Sequence, residues 1–302
     1  MTDTFLGGST MVKLNGVFTA LITPFDGDDV DIACLRQLTK RQIDAGVHGL
    51  VPLGSTGEAA TLTFDERARI IEAVVDEARG HVPVIVGAGS NNTADTITMV
   101  KQAKDLGADA AMSVTPYYNK PNAEGLLAHY KAIGNAVDIP LLSYNVPGRT
   151  GLNLVPEVAA DIADLPFMVG LKDASGNMMQ VQDVINRTQD KWSVLVGEDQ
   201  LMFATLAAGG TGIICTSSNV IPEAFVSLYN SFVKNEWAEA RNKQYDLLPI
   251  IKAMFCQTNP IPVKMGCSLL GLCKPELRLP LVTLDTSYLP LLSNAMSAQG
   301  LL

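Results

Sequence analysis

Short runs of apolar and β-branched residues recur along the chain, each followed by a turn and then by a segment with helical spacing. The runs are GVFTALIT (16–23), GLVPLG (49–54), VPVIVGA (82–88), DAAMSVT (109–115), IPLLSYN (139–145), FMVGLK (167–172), WSVLVG (192–197) and TGIICT (211–216). The segments between and after them predict helices over 31–45, 65–79, 93–107, 122–137, 155–164, 177–189, 199–209 and 221–234. In the second of these, Ala68, Ile71, Val74, Val75 and Ala78 share one face and charged residues fill the other. Thr63 followed by Glu66, and Pro156 and Pro222 in first turns, mark helix starts. Apolar strands alternating with amphipathic helices make a parallel sheet covered by helices. Eight such units in succession predict an α/β fold closed into a (β/α)8 TIM barrel, here over 13–234. Residues 1–12 are expected to be a flexible leader, with Met11 an alternative start. Residues 235–302 break the period with helix-like segments and a proline-marked connection, TNPIPVK (258–264). They predict a C-terminal helical appendage that covers a face or makes an oligomer contact.

Composition narrows the function classes. The chain has 302 residues, 47% of them apolar, enough for a large core. Its 22 basic and 31 acidic residues give a net charge of -9 with no run of Lys and Arg, which argues against nucleic acid as a partner. No apolar stretch approaches a membrane span, and the start MTDTFLGGST lacks the basic and apolar regions of a signal peptide. A soluble, cytoplasmic protein is expected. Cys34, Cys215, Cys256, Cys267 and Cys273 are scattered without CxxC spacing and read as free thiols, with no metal site. His48, His81 and His129 stand apart from one another and read as packing or surface residues.

In a barrel of this kind the chemistry gathers where the strands end. Those ends carry Thr23, GSTGE (54–58), Gly87-Ala88-Gly89, TPYYNKP (115–121), YNVPGRTG (144–151), Lys172-Asp173, Gly197-Glu198 and Thr216-Ser217-Ser218. Lys172 closes an apolar run, against the solvation preference of an amine. A buried amine can lose its proton and attack a carbonyl, forming a Schiff base; the other reading is an ion pair with Asp173. Ser55 and Thr56, between glycines, suit a carboxylate cradle or a simple turn. No GK[ST] follows them, and GAGSNN (87–92) lacks the third glycine of a dinucleotide loop. Tyr144 fits a proton relay or a core tyrosine; Arg149, in a Pro-Gly turn, fits a carboxylate contact or the surface. Tyr117 and Tyr118, between two prolines, suit a pocket wall, a subunit contact or plain packing.

The combination GSTGE, TPYYNKP, YNVPGRTG and GLKDASG, in that order, resembles the pyruvate-dependent class I aldolase family, which includes the dihydrodipicolinate synthases and N-acetylneuraminate lyases. The resemblance runs from about Gly16 through NPIPVK to the C-terminus. It implies a homotetramer of barrels that needs no organic cofactor and no metal. Lys172 then matches the Schiff-base lysine, Tyr144 the tyrosine that guides proton transfer, and Tyr118 the relay tyrosine from a neighbouring subunit. Ser55 and Thr56 match the hydroxyls that hold the pyruvate carboxylate, and Gly197 and Ile214 line the pyruvate pocket. Arg149 matches the synthase arginine that takes the carboxylate of aspartate 4-semialdehyde, so the implied product is 4-hydroxy-tetrahydrodipicolinate, on the route to diaminopimelate and lysine. Ser55, usually threonine in the synthases, leans toward sister aldolases acting on sugar acids or N-acetylneuraminate, although the hydroxyl survives. A keto-acid sensor would have no need of Lys172, Tyr144 and Tyr118. Asn91 and Tyr117 match a lysine-effector site, Asp95 stands where sensitive members often have glutamate, and Phe64 and Arg67 stand where lysine-sensitive enzymes often carry histidines, so feedback by L-lysine is expected to be weak or absent.

Overall fold

Each apolar run becomes a strand for as far as its backbone can join a ladder. The computed structural model describes residues 13–302, and the leader expected over 1–12 lies outside the described residues. Eight parallel strands form: β1 Gly16–Ala20, β2 Gly49–Val51, β3 Ile85–Gly87, β4 Ala110–Val114, β5 Leu141–Asn145, β6 Met168–Asp173, β7 Ser193–Val196 and β8 Gly212–Cys215. Neighbours run in the order β2-β1-β8-β7-β6-β5-β4-β3, and a bridge between Leu50 and Val84 closes the ring. β2 and β3 are shorter than their apolar runs, because Pro52 and Pro83 have no N–H to give to a ladder. Across that seam Leu50 N donates to Pro83 O and Gly87 N to Pro52 O, both at 3.0 Å.

The period-two alternation of the strands sorts side chains between two cores. Phe18, Val51, Ile85, Met112, Leu142, Leu195 and Ile214 fill the barrel. Gly49 is glycine because a Cβ there would lie 2.2 Å from the Phe18 ring. The outward residues meet α1 Ile32–Asp44, α2 Phe64–Ala78, α3 Thr93–Asp105, α4 Ala123–Ala136, α5 Pro156–Ala163, α6 Met178–Thr188, α7 Met202–Ala207 and α8 Pro222–Val233. The capping box read at Thr63 is present, with Thr63 N donating to Glu66 Oε2 at 2.8 Å. The segment expected as one helix from 199 begins instead as the 3-10 turn Asp199–Leu201. There the Asp199 carboxylate is tied to the end of β8, accepting from Thr216 N at 3.1 Å and Ser217 N at 2.7 Å.

After the barrel come α9 Trp237–Met254, α10 Ile261–Leu269 and α11 Leu289–Ala298. Leu247, Met254, Val263 and Met296 from these helices share one core with Val17, Ile213 and Phe225. A small hairpin, Phe25–Asp26 with Asp29–Val30, is a feature the apolar pattern does not predict; Gly27 turns it at φ 61°. All five cysteines are free, and no described helix is long and apolar enough to cross a membrane.

One packing histidine gives the fold a pH dependence. His129 on α4 is buried, with Nδ1 2.9 Å from Thr93 Oγ1, and burial lowers its pKa from 6.5 to about 4. The unfolded chain therefore binds the proton first. Stability is full above pH 6.5 and declines as pH falls toward 4, by at most about 3 kcal/mol from this residue. Urea unfolding across that range should show the decline, and His129→Gln should flatten it.

Candidate active site

Alternation along β6 decides between the two readings of Lys172. Lys172 points into the barrel with Tyr144 beside it on β5, whereas Asp173 turns outward. Asp173 accepts from Ser175 N (2.9 Å), Ser175 Oγ (2.5 Å), Asn145 Nδ2 (3.1 Å) and Gln180 Nε2 (3.3 Å). Its lone pairs are occupied by neutral donors, and the ion pair with Lys172 does not form. Lys172 is 6% exposed, and its Nζ lies 4.3 Å from the centre of the Tyr144 ring. Among the described residues no carboxylate pairs with it. The amine packs on an aromatic face instead of forming half of an ion pair. Gly197 keeps the space beside it, since a Cβ at that position would lie 2.8 Å from Lys172 Cε.

The Gly54–Glu58 loop is a tight turn after β2. Leu53 and Glu58 take positive φ (60° and 53°), Gly57 N donates to Gly54 O at 3.1 Å and Glu58 N to Ser55 O at 3.2 Å. Among the described residues the N–H groups of Ser55 and Thr56 have no acceptor in the protein, as a carboxylate cradle requires. Thr56 Oγ1 is 3.3 Å from Thr216 Oγ1 and accepts from Asn259 Nδ2 at 2.9 Å. Asn259 also offers its carbonyl to Arg149 Nη2 at 2.8 Å, so one residue of the C-terminal region ties the cradle to the arginine. Arg149 stands on a single helical turn, Pro147–Thr150, and is exposed.

A cleft of about 580 Å³ opens beside these groups, with Ser55, Tyr144, Arg149 and Asn259 on its wall. Lys172, Thr56 and Gly197 are not on that wall; Lys172 adjoins it through the Tyr144 ring. Ile214 is fully buried inside the barrel. Tyr118 is placed elsewhere: at φ 69° on the Thr115–Pro121 loop it is 89% exposed and outside the cleft of its own chain. Of the three effector candidates, Asp95 and Tyr117 line the cleft and Asn91 does not; its carbonyl accepts from Asn119 Nδ2 at 2.8 Å. Glu198, half-buried at the end of β7, has its carboxyl pushed up by burial and by Asp199, with Lys172 drawing it down.

The motif reading passes over what holds the loop from behind. Glu58 Oε1 meets Lys264 Nζ at 2.5 Å with both side chains essentially inaccessible (1% and 0%). Burial pulls the Lys264 amine down and the Glu58 carboxylate pulls it back up. The same lysine lies 4.1 Å above the Phe25 ring of the hairpin, and Arg278 lies 4.6 Å from that ring. Arg278 N donates to Glu58 Oε2 at 3.1 Å, and its guanidinium binds Glu66 at 2.5 Å and 2.9 Å, holding that carboxyl down near 2. The signal for Lys264 is the one that marks Lys172, a lone lysine inside an apolar run, IPVKMGCSLL (261–270).

Comparison with known proteins follows the same lines. The model of the dihydrodipicolinate synthetase family matches residues 13–299. The 4-hydroxy-tetrahydrodipicolinate synthase of Nitratidesulfovibrio vulgaris is 45% identical over 291 residues, covering 96% of this chain and 100% of the relative. The crystal structure of dihydrodipicolinate synthase from Thermotoga maritima superposes with a TM-score of 0.95 at 42% identity, covering 96% of this chain and 100% of that one. A monomeric dihydrodipicolinate synthase variant gives a TM-score of 0.94 at 42% identity, covering 95% and 97%.

Proposed function

The chain belongs to the dihydrodipicolinate synthetase family, and on that premise we propose that it joins pyruvate to L-aspartate 4-semialdehyde through an imine on Lys172. The product is 4-hydroxy-tetrahydrodipicolinate, which makes the chain a lyase of lysine and diaminopimelate biosynthesis. The observation that carries the reading is the buried amine of Lys172, packed on Tyr144 and, among the described residues, without a carboxylate partner. An assay with both substrates, reading the product through dihydrodipicolinate reductase, tests it. Turnover is expected; no turnover, with pyruvate still trapped on the protein by borohydride, would move the second substrate to another aldehyde.

Pyruvate docks with its carboxylate on the N–H groups and hydroxyls of Ser55 and Thr56. The Lys172 amine adds to the keto carbon and water leaves, giving an iminium that draws electrons from the neighbouring methyl group. Tyr144, with Ser55 and Tyr118, accepts and returns the protons of these steps, and loss of a methyl proton gives the enamine. The enamine carbon attacks the aldehyde of the second substrate, whose carboxylate Arg149 holds. The substrate's own amine then displaces Lys172 and closes the ring. The 89% exposure of Tyr118 on its own chain supports its serving the cleft of a neighbouring copy within a homotetramer. Free thiols suit the cytoplasm as the place of action.

Arg149→Ala should lower kcat/KM for aspartate semialdehyde about 100-fold, as expected for a lost charge-assisted carboxylate contact, and leave borohydride trapping of pyruvate intact. Equal loss of both would place Arg149 on pyruvate instead. L-lysine is expected to inhibit weakly or not at all, since Phe64 and Arg67 occupy positions where lysine-sensitive members of the family often carry histidines. Inhibition at sub-millimolar lysine in the same assay would refute this.

A further inference from the structure

Three of the five cysteines come together where the C-terminal region docks on the barrel. Cys267 lies on α10, Cys273 follows just past its end, and Cys34 reaches them from α1, its Sγ donating to Leu272 O at 3.1 Å. Between the first two the chain turns back on itself. Leu272 N donates to Cys267 O at 3.0 Å, and Cys273 Sγ lies 3.9 Å from the carbonyl of Lys264, one helical turn before Cys267. The return brings the two thiols into hydrogen-bonding contact, with Cys267 as the donor. Cys267 is fully buried, whereas Cys273 is partly exposed. One sulfur of the pair meets solvent and the other stands behind it.

The remaining thiols are placed differently. Burial pushes Cys34 up to about 12, raises Cys256, and raises Cys215 well above the ordinary thiol range. Cys273 is drawn down by the Cys267 hydrogen bond and by the Lys264 amine, against the effect of its own burial. The thiolate is the form that attacks a peroxide.

We propose that Cys273 and Cys267 form an oxidative modification site, in which Cys273 reacts with a hydroperoxide and Cys267 closes a disulfide on it. In the first step the Cys273 thiolate attacks an oxygen of hydrogen peroxide. The S–O bond forms, the O–O bond breaks, and the departing hydroxide takes up a proton and leaves as water, so that Cys273 becomes a sulfenic acid. In the second step Cys267 gives up its proton, its sulfur bonds to that of Cys273, and the S–O bond breaks with loss of a second water. The two sulfurs are oxidised and the peroxide is reduced. Neither step uses Lys172 or the cleft, so the site does not depend on the condensation reading.

Peptide mapping of the full chain tests this. The reduced protein is treated with a small excess of hydrogen peroxide, remaining thiols are capped with iodoacetamide, and the chain is digested with trypsin. Trypsin cuts after Lys264 but not after Lys274, which precedes proline, so one peptide, 265–278, carries both sulfurs. It should appear uncapped, lighter than the reduced peptide by two hydrogen atoms, and return to the reduced mass with dithiothreitol. The pair should oxidise at least about tenfold faster than Cys34 or Cys256. In Cys267→Ala the reaction should stop at the sulfenic acid, which dimedone captures on Cys273; in Cys273→Ala, Cys267 should stay reduced and be capped. Oxidation of Cys34, Cys215 or Cys256 at the same rate, a bridge from Cys34 to Cys273, or oxidation of Cys267 at the parent rate in Cys273→Ala would each overturn the proposal. The mapping of the parent protein needs no variant, and Cys267→Ser replaces Cys267→Ala should the latter not fold.

Discussion

Replacing Lys172 with methionine is expected to abolish the condensation and, with it, the covalent trapping of pyruvate by borohydride. Activity should fall by at least about a thousandfold, because no other described amine faces the Tyr144 ring inside the barrel. The protein should remain folded. Among the described residues Lys172 makes no ion pair, so methionine removes a buried amine, keeps the aliphatic stem, and leaves no described partner stranded. A mass shift for one reduced pyruvyl adduct in the parent protein and none in the variant reads the chemistry independently of the second substrate. Trapping at an undiminished rate in the variant would remove Lys172 from its role.

Lys264→Met should destabilise the protein by about 3–5 kcal/mol, a larger structural effect than any change at the nucleophile. The loss comes from the Glu58 carboxyl, which would be left inside the protein with, among the described residues, the Arg278 N–H at 3.1 Å as its remaining hydrogen-bond donor. Removing both partners should be far milder. Glu58→Leu combined with Lys264→Met is expected to recover most of the stability, since two apolar side chains of similar size replace a pair whose desolvation cost offsets its attraction. Urea midpoints for the two single variants and the double variant form the cycle that checks this. Additive losses would mean that the two residues act separately. Because Glu58 ends the Ser55 and Thr56 turn, the surviving Lys264→Met protein should also bind pyruvate less well.

Lys172 and the eight strands could be read in the sequence because their signal is local. An amine closing an apolar run stands out by contrast, and strand spacing repeats within a few residues. Glu58 and Lys264 lie 206 residues apart, and no local pattern tells either one of the other. Asn259 is visible inside TNPIPVK only as a neighbour of prolines; that it bridges Thr56 and Arg149 depends on how the C-terminal helices dock. Tyr118 shows the opposite limit. Its stiff loop is legible, yet the fold leaves the side chain 89% exposed and off the cleft of its own chain. The strand lengths fail for a physical reason, since hydropathy does not register that Pro52 and Pro83 lack a hydrogen-bond donor.

The seam between β2 and β3 distributes compliance around the ring. Most strands meet their neighbours along several residues, but these two are joined by one bridge and by the donations of Leu50 and Gly87. Lys172 rides on β6, paired on both sides with Tyr144 and Leu195. The cradle hangs from β2, at the lip of the seam. Amide hydrogens of Leu50 and Gly87 should therefore exchange with solvent well before that of Lys172. On the proposed mechanism, catalysis would rest on a fixed electron sink and a clamp that can breathe: the carboxylate end of a substrate would be admitted, gripped and released without disturbing the amine that does the bonding.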